Sequence, residues 1–232
     1  MTPIEQVGDG IRIRPYDSNG NRINTALVSL PEGGLLVLGP GTDLGPDDFE
    51  AVDQLGQVRA IVSPGAYHNM GMPAWHARYP EAGLYAPKAA IAHIGKLHKE
   101  LPPLSDLDAL AALLPEGVTV EEAEGMGQPD VHLVTRRDDG VTWFTNEALC
   151  NAAAWPKSFP VRMAFKLFRV TPGLNVNTLA LMLVRGDKKA IRRYFEAKLE
   201  AAPPTRLVPS HGVVDDGPDL AERLREVLGR RL

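Results

Sequence analysis

The sequence predicts a layered α/β protein, in which strands and helices alternate along the chain and pack against one another in layers. The first third holds short segments of β-branched and aliphatic residues bounded by Asn, Gly or Pro, a pattern typical of strands. From Pro46 onward, segments with apolar residues at helical spacing alternate with further apolar runs. No repeat at a fixed spacing is present, and we expect one domain over residues 1–232.

The first half is predicted to be a strand meander followed by alternating strands and helices. The acidic residues after Pro46 favour a helix start there, because the positive end of the helix dipole attracts them. The polar loop that contains His68 follows an apolar run and precedes a helical turn. The predicted strands of this half are residues 11–14, 25–30, 34–38, 58–62 and 84–86, and the predicted helical segments are 46–55, 73–79 and 88–97.

The second half is predicted to begin with a connection, residues 102–115, that holds a short helix. The sequence Asp138-Asp139-Gly140 then predicts a hairpin turn between two strands. A looser stretch over residues 151–177 contains a helical piece at 161–168, and we expect it to cover one end of the core. The remaining elements are strands at 119–120, 131–135, 141–144 and 205–209, an apolar run at 178–184, and helices at 188–199 and 220–228.

Composition excludes several classes of partner. The chain has 29 acidic and 25 basic residues mixed along its length, so no basic face is available for nucleic acid. No apolar run approaches the roughly 18 residues needed to cross a bilayer, and we expect no membrane partner. Residues 1–9 lack the pattern of a signal peptide, and the single cysteine, Cys150, cannot form an intramolecular disulfide. A cytoplasmic location is therefore expected.

Two segments of the chain carry a resemblance to a known family. The strand at residues 34–38 ends in Gly39-Pro40-Gly41, and a later apolar run is followed by Ser63-Pro64-Gly65-Ala66-Tyr67-His68-Asn69-Met70-Gly71. These two segments resemble the Asp-Pro-Gly turn and the Thr-His-x-His-x-Asp-His motif of the metallo-β-lactamase superfamily. The resemblance covers nearly the whole chain and implies a four-layer αββα sandwich, with metal ions at one edge of two facing sheets. Its details are closer to a divergent branch than to the hydrolases of the superfamily.

The resemblance also implies that one metal site has been lost. Pro64 and Ala66 stand where the family has its two leading histidines. The third histidine of that site falls near Gln128, with His132 a less suitable substitute. Because proline and alanine carry no donor atom in their side chains, a zinc site of that type cannot form here.

The family's second metal site is altered rather than lost. Its ligand positions correspond to His68, Asn69, Glu147 and His211, although Asn146 is an alternative to Glu147. Two imidazoles and one carboxylate suit one zinc or iron ion, so we predict a site made of His68, Glu147 and His211. No ion would bind if the site is fully degenerate. Residues predicted to line a pocket for a small-molecule ligand beside this site are Tyr67, Asn69 and Gln128.

Three functions fit these residues. The favoured hypothesis is a divergent protein with a degenerate or remodelled site, without the usual dinuclear zinc hydrolase activity. The alternative is a hydrolase that uses a single metal ion, held by His68, Glu147 and His211, on an ester, thioester or lactone. A third possibility is metal-free chemistry through Ser63, Ser210 or Cys150. The sequence predicts neither the substrate nor the oligomeric state.

Overall fold

The computed structural model describes residues 3–18 and 20–232, which form strands and helices in alternation. The strands are β1 (Glu5–Gly8), β2 (Ile11–Ser18), β3 (Asn21–Ser29), β4 (Gly34–Leu38), β5 (Gln57–Val62), β6 (Gly83–Tyr85), β7 (Val118–Glu122), β8 (Val131–Arg137), β9 (Gly140–Thr145), β10 (Leu149–Ala152), β11 (Gly173–Val176), β12 (Arg206–Pro209) and β13 (Asp215–Asp216). The helices are α1 (Pro46–Asp53), α2 (Met72–Arg78), α3 (Lys88–Leu97), α4 (Leu107–Ala111), α5 (Phe159–Leu167), α6 (Thr178–Leu183), α7 (Lys188–Ala201) and α8 (Leu220–Arg231).

Two sheets form the centre of the molecule. One contains β1 to β6 in chain order, and the other has the order β13, β12, β9, β8 and β7. Strands β4, β5 and β6 run parallel to one another, as do β9 and β12, whereas the β8–β9 hairpin is antiparallel. The parallel pairs matter for function because the carboxyl ends of parallel strands reach the same edge of a sheet.

The side chains of β4 show how the layers are built. Leu36 and Leu38 belong to the core between the two sheets, which also contains Phe144 of the second sheet. Leu35 and Val37 point the other way and pack against the helices outside the first sheet. This alternation follows from the two-residue period of a strand. Because both faces are covered, the whole strand is buried, and its sequence is a continuous apolar run.

Helices cover the outer face of each sheet. Trp75 of α2 and Ile94 of α3 pack on the first sheet, and Phe195 of α7 and Leu224 of α8 pack on the second. The order of layers is therefore helices, sheet, sheet, helices, and the predicted αββα sandwich is confirmed. Among the described residues, no helix is long and apolar enough to cross a membrane.

The stretch predicted to be loose, residues 151–177, is more ordered than its composition suggests. Strands β10 and β11 pair there as a separate two-stranded ribbon. Asn151 and Asn175 lie within these strands, although asparagine is depleted in strands generally. Tertiary hydrogen bonds compensate, because the Nδ2 atom of Asn151 donates to the carbonyl oxygen of Val213 and that of Asn175 donates to Thr171. The apolar run at 178–184 forms helix α6.

Candidate metal centre

Two of the predicted ligands are brought together by the parallel pairing of β9 and β12. Thr145, the last residue of β9, is aligned with Pro209, the last residue of β12. Glu147 and His211 each lie two residues beyond these strand ends, so they emerge side by side at one edge of the second sheet. The register of this strand pair therefore positions two residues that are distant in sequence.

His68 approaches from the first sheet. It lies in the loop between β5 and α2, with a backbone φ of 58° that residues other than glycine seldom adopt. Such strained conformations occur preferentially at functional sites, where the surrounding structure maintains them. Gly71 allows the loop to pack closely against the backbone of Pro40 and Gly41, because a side chain at this position would clash with their carbonyl oxygens.

The side chains of His68, Glu147 and His211 converge. The Nε2 atom of His68 lies 2.9 Å from Oε1 of Glu147 and 3.0 Å from Nε2 of His211. The third distance, from Nε2 of His211 to Oε1 of Glu147, is 3.4 Å. Within residues 3–18 and 20–232, His68, Glu147 and His211 form the only group of three or more His, Cys, Asp or Glu residues whose ligand atoms lie close enough together to hold a metal ion.

Hydrogen bonds alone do not account for all three short separations. Each Nε2 atom carries at most one hydrogen, and a carboxylate oxygen only accepts, so at most two of the three contacts are ordinary hydrogen bonds. Around a tetrahedral ion with bonds of about 2.0–2.1 Å, neighbouring ligand atoms lie about 3.3 Å apart. The observed separations, 2.9, 3.0 and 3.4 Å, are close to that value. The three atoms therefore fit a shared ion.

The charges of the cluster are mutually dependent. Burial by itself raises the pKa of Glu147, but its hydrogen bonds to His211 and His68 outweigh burial and bring the pKa far below its ordinary range. Burial lowers the pKa of His211, whereas the hydrogen bond and negative charge of Glu147 raise it, with a net increase. The carboxylate is thus held ionised, which is the form that binds a metal ion.

Comparison with solved structures assigns the fold. A metallo-β-lactamase from Hirschia baltica shares 11% identity at a TM-score of 0.60, and the match covers 97% of each chain. The mono-zinc form of the metallo-β-lactamase FIM-1 from Pseudomonas aeruginosa shares 12% identity at a TM-score of 0.58, over 98% of this chain and 95% of that one. The chain has the metallo-β-lactamase fold.

A mutant flavo di-iron protein from Thermotoga maritima contains a similar region. It shares 13% identity at a TM-score of 0.62, and the match covers 97% of this chain but 60% of that one. No protein-family model and no curated protein sequence matches the chain. The metallo-β-lactamase fold is therefore established by structure alone, and identities this low do not transfer an activity.

Within the metallo-β-lactamase fold, the structure distinguishes Glu147 from Asn146. The side chain of Asn146 is buried away from the histidines, where Nδ2 donates to Oδ1 of Asp130 and Oδ1 accepts from the hydroxyl of Ser210. The same Oδ1 atom of Asp130 accepts the backbone N–H of Glu147 at 3.0 Å. Burial raises the pKa of Asp130 to about 7, with a contribution from the charge of Glu147. Asp130 and Asn146 thus orient the backbone that carries Glu147.

The residues predicted to line a pocket lie elsewhere. Asn69 is buried, donates to the carbonyl oxygen of Ala66 and accepts from Nε2 of His98, so it braces its own loop. Neither cavity next to the histidines includes Tyr67, Asn69 or Gln128 in its lining. Tyr67 and Asn69 lie in the loop that positions His68, where Tyr67 is exposed and Asn69 is buried, whereas Gln128 lies in the separate connection between β7 and β8.

His132 belongs to the core and not to the site. Its ring packs against Trp143 with centroids 4.8 Å apart, and its Nδ1 atom lies 3.0 Å from the hydroxyl of Tyr194. Burial, together with the positive charge of Lys198, lowers the pKa of His132 to about 3. It is therefore a neutral core histidine and does not replace the third histidine of the family's first site.

Two cavities border the cluster. A cavity of about 450 Å³ reaches Glu147 and His211, and one of about 310 Å³ reaches His68 and His211. The larger cavity was not predicted from the sequence. Its signal was present, because residues 148–186 contain no acidic residue and are rich in apolar ones. Apolar side chains of the larger cavity include Trp155, Val161, Phe165, Leu179 and Leu183.

The candidate nucleophiles outside the cluster are hydrogen-bonded hydroxyls or a thiol with a raised pKa. The hydroxyl of Ser63 donates to the carbonyl oxygen of Gly65, and the hydroxyl of Ser210 donates to Asn146. Cys150 is buried, and burial is the main reason that its pKa is raised to about 12, so the thiolate form is rare near neutral pH. These contacts disfavour metal-free nucleophilic chemistry.

Proposed function

We propose that this protein is a hydrolase dependent on a single metal ion, acting on a carboxylic acid derivative such as an ester, thioester or lactone. The observation that carries this proposal is the mutual spacing of the Nε2 atoms of His68 and His211 and the Oε1 atom of Glu147, at 2.9, 3.0 and 3.4 Å. In the reaction, water adds its oxygen to the acyl carbon, the bond to the alcohol or thiol breaks, and the leaving group takes a proton. No oxidant or reductant is needed.

The donor set fits zinc or ferrous iron. Two neutral imidazoles and one carboxylate are common ligands of both ions, and three protein ligands leave a position open for water or substrate. An ion bound there would act as a Lewis acid toward a carbonyl group and would lower the pKa of a coordinated water molecule. The side chains of His68 and Glu147 are 14% and 15% exposed and that of His211 is 30% exposed, so the cluster is reached most easily beside His211.

The surrounding residues would orient the cluster and limit the access of water. Three hydrogen bonds of 2.8 to 3.0 Å hold the segment that contains Glu147. Asp130 accepts from the side chain of Asn146 and from the backbone N–H of Glu147, and Asn146 accepts from the hydroxyl of Ser210. A substrate placed against the apolar wall of the larger cavity would displace water from one side of the site. Electrostatic interactions are stronger where water is excluded, which favours stabilisation of a developing oxyanion.

Elemental analysis of the purified protein, combined with an ester hydrolysis assay, tests this proposal. We expect about one equivalent of a transition metal in the wild type, and loss of both metal and turnover in His211→Ala, since three strong ligands fall to two. His93→Ala is the matched control, because His93 is exposed on α3 and lies outside the cluster. Metal-free protein with undiminished turnover would refute the proposal, as would equal metal content in the two variants.

A second candidate is a binding protein without turnover. Pro64 and Ala66 favour it, because these residues occupy the positions of the family's first-site histidines and provide no ligand. Such a protein would have a remodelled site that retains a pocket for a small molecule. Stoichiometric metal without hydrolysis of any ester, thioester or lactone in a broad panel would favour this candidate over the hydrolase.

A further inference from the structure

The walls of the larger cavity are predominantly hydrocarbon. The cavity lies between the loop after β10, the inner face of α5, helix α6 and the segment that follows His211. Val161 and Phe165 lie four residues apart on α5 and so share one face of the helix, which forms a wall of the cavity. Its volume, about 450 Å³, is within the range of small-molecule sites.

Most polar side chains around the cavity are already paired. Asn177 caps α6 by accepting the backbone N–H of Ala180, and Arg22 is bonded to Glu5 and Asn24. Glu147 and His211 belong to the candidate metal centre. A sugar or nucleotide in this cavity would leave several of its own polar groups without partners, which costs free energy. A hydrocarbon chain has no polar groups and therefore needs no hydrogen-bond partners in the cavity.

The segment at residues 148–186, which contributes to the cavity wall, has basic but no acidic side chains. Residues 148–186 contain no aspartate or glutamate but contain Lys157, Arg162, Lys166, Arg169 and Arg185. Lys157 lies at the cavity, with its side chain next to Gly20 of the turn between β2 and β3. Among the described residues that line the cavity, the only carboxylate is that of Glu147, a proposed metal ligand. Of these five basic residues Lys157 is the one in the lining, so a negatively charged group on a bound molecule would meet Lys157 there.

We propose that this cavity binds the hydrocarbon chain of a fatty acyl group, with the carbonyl end of the chain beside His211 and Glu147. The substrate class is then fatty-acyl esters or thioesters, and the acidic product is a fatty acid. The position of the carbonyl rests on the proposed function, whereas the binding of the chain depends only on the cavity.

Binding of hexanoate, octanoate, decanoate and dodecanoate, measured by isothermal titration calorimetry, tests this inference. Each methylene that enters the cavity is worth about 0.8 kcal/mol, so affinity should rise about 4-fold per added methylene until the cavity is full. The corresponding alcohols should show the same dependence on chain length, which separates the effect of the chain from that of the carboxylate. Affinity that does not depend on chain length would overturn the proposal.

Two variants on the same helix provide a matched comparison. Phe165→Ala removes part of the cavity wall, and Phe159→Ala removes a phenyl ring that is 64% exposed and is not in the lining. We expect dodecanoate to bind at least 10-fold more weakly to Phe165→Ala and nearly normally to Phe159→Ala, with thermal melts to verify folding. Equal affinities in the two variants would contradict binding in this cavity.

The same titration on His211→Ala separates this inference from the proposed function. If that variant lacks metal but retains the dependence on chain length, the cavity assignment is supported whether or not the protein is a hydrolase. If the wild type binds metal and hydrolyses short esters with no preference for longer chains, the hydrolase proposal is supported and the placement of the substrate's acyl chain in this cavity is refuted.

Discussion

Asp130 lies outside the candidate metal centre but is hydrogen-bonded to the backbone of one of its residues. Its Oδ1 atom accepts hydrogen bonds from Nδ2 of Asn146 at 2.8 Å and from the backbone N–H of Glu147 at 3.0 Å. Both bonds are made in the interior, where Asp130 is 2% exposed. The orientation of Glu147 therefore depends on an acceptor at position 130.

Replacing this acceptor should loosen the site without removing a ligand. We expect Asp130→Ala to weaken zinc binding about 10- to 100-fold, the usual effect of losing a group that orients a metal ligand. Asp130→Asn retains an acceptor oxygen and should restore affinity to within a few-fold of the wild type. Competition with a chromophoric chelator measures both constants. Unchanged affinity in Asp130→Ala would show that the backbone of Glu147 is held by other contacts.

The limits of sequence interpretation at the scale of residues are clear at positions 146 and 147. The motif predicts a site within this turn but leaves Asn146 and Glu147 as alternatives, because spacing alone does not say which side chain faces the histidines. The hydrogen bonds of Asn146 to Asp130 and Ser210 settle the orientation, and these partners are 16 and 64 residues away. Long-range pairing of this kind has no local signal.

At the scale of elements, the start of α1 carries a buried ion pair. Asp48 lies in the first turn of this helix, and its carboxylate is 3.2 Å from Nη2 of Arg14 on β2. Both residues are buried, at 7% and 2% exposure. The other carboxylate oxygen accepts the backbone N–H of Gly45 at 2.9 Å. The pair thus ties α1 to the first sheet.

Breaking this pair should destabilise the fold. Asp48→Asn removes the charge but leaves Arg14 buried, and loss of one partner of a buried pair costs about 3 kcal/mol or more. Asp47→Asn is the matched control, because Asp47 is exposed in the same turn and its interaction with the helix dipole is worth under about 1 kcal/mol. Urea denaturation at neutral pH measures both free energies of unfolding. Similar losses in the two variants would contradict a special role for the pair.

The effect should depend on pH in a defined direction. Burial, the largest influence, raises the pKa of Asp48, but the Gly45 N–H and the Arg14 guanidinium together bring it below its ordinary value. A lowered folded-state pKa stabilises the protein above the pKa of the unfolded chain, near pH 4. That contribution is lost as the pH falls through the folded-state value. The difference between Asp48→Asn and the wild type should therefore be complete at pH 7 and shrink below about pH 4.

Elements with strong periodicity were predictable and those without it were not. The helix predicted at 88–97 is α3 and the strand predicted at 34–38 is β4, since both have uninterrupted patterns of apolar residues. The β10–β11 ribbon was not predicted, because its strands contain asparagine and glycine and are stabilised by contacts with the segment after His211. Tertiary contacts override weak local preference in such strands.

At the scale of the whole molecule, the candidate site lies where the two sheets meet. Asn24 of β3 donates through its side chain to the carbonyl oxygens of Pro209 and Gly212, and its backbone N–H donates to Ser210. The αββα arrangement was predictable from the order of elements together with the family resemblance. The contact between sheets at this edge was not, because it joins residues more than 180 positions apart.

An ion at this edge would connect the two sheets, and this leads to a prediction about global stability. His68 follows β5 of the first sheet, whereas Glu147 and His211 follow β9 and β12 of the second. A ligand that binds only the folded state at 100 times its Kd adds about 2.7 kcal/mol, which for a chain of this length corresponds to about 5 to 10 °C in Tm. We expect zinc to raise the Tm of metal-free wild type by this amount and a chelator to reverse the change. His211→Ala should show almost no shift, and His93→Ala should respond like the wild type. A zinc-induced shift of equal size in His211→Ala would mean that the ion binds elsewhere on the protein and that the three side chains do not form the metal centre.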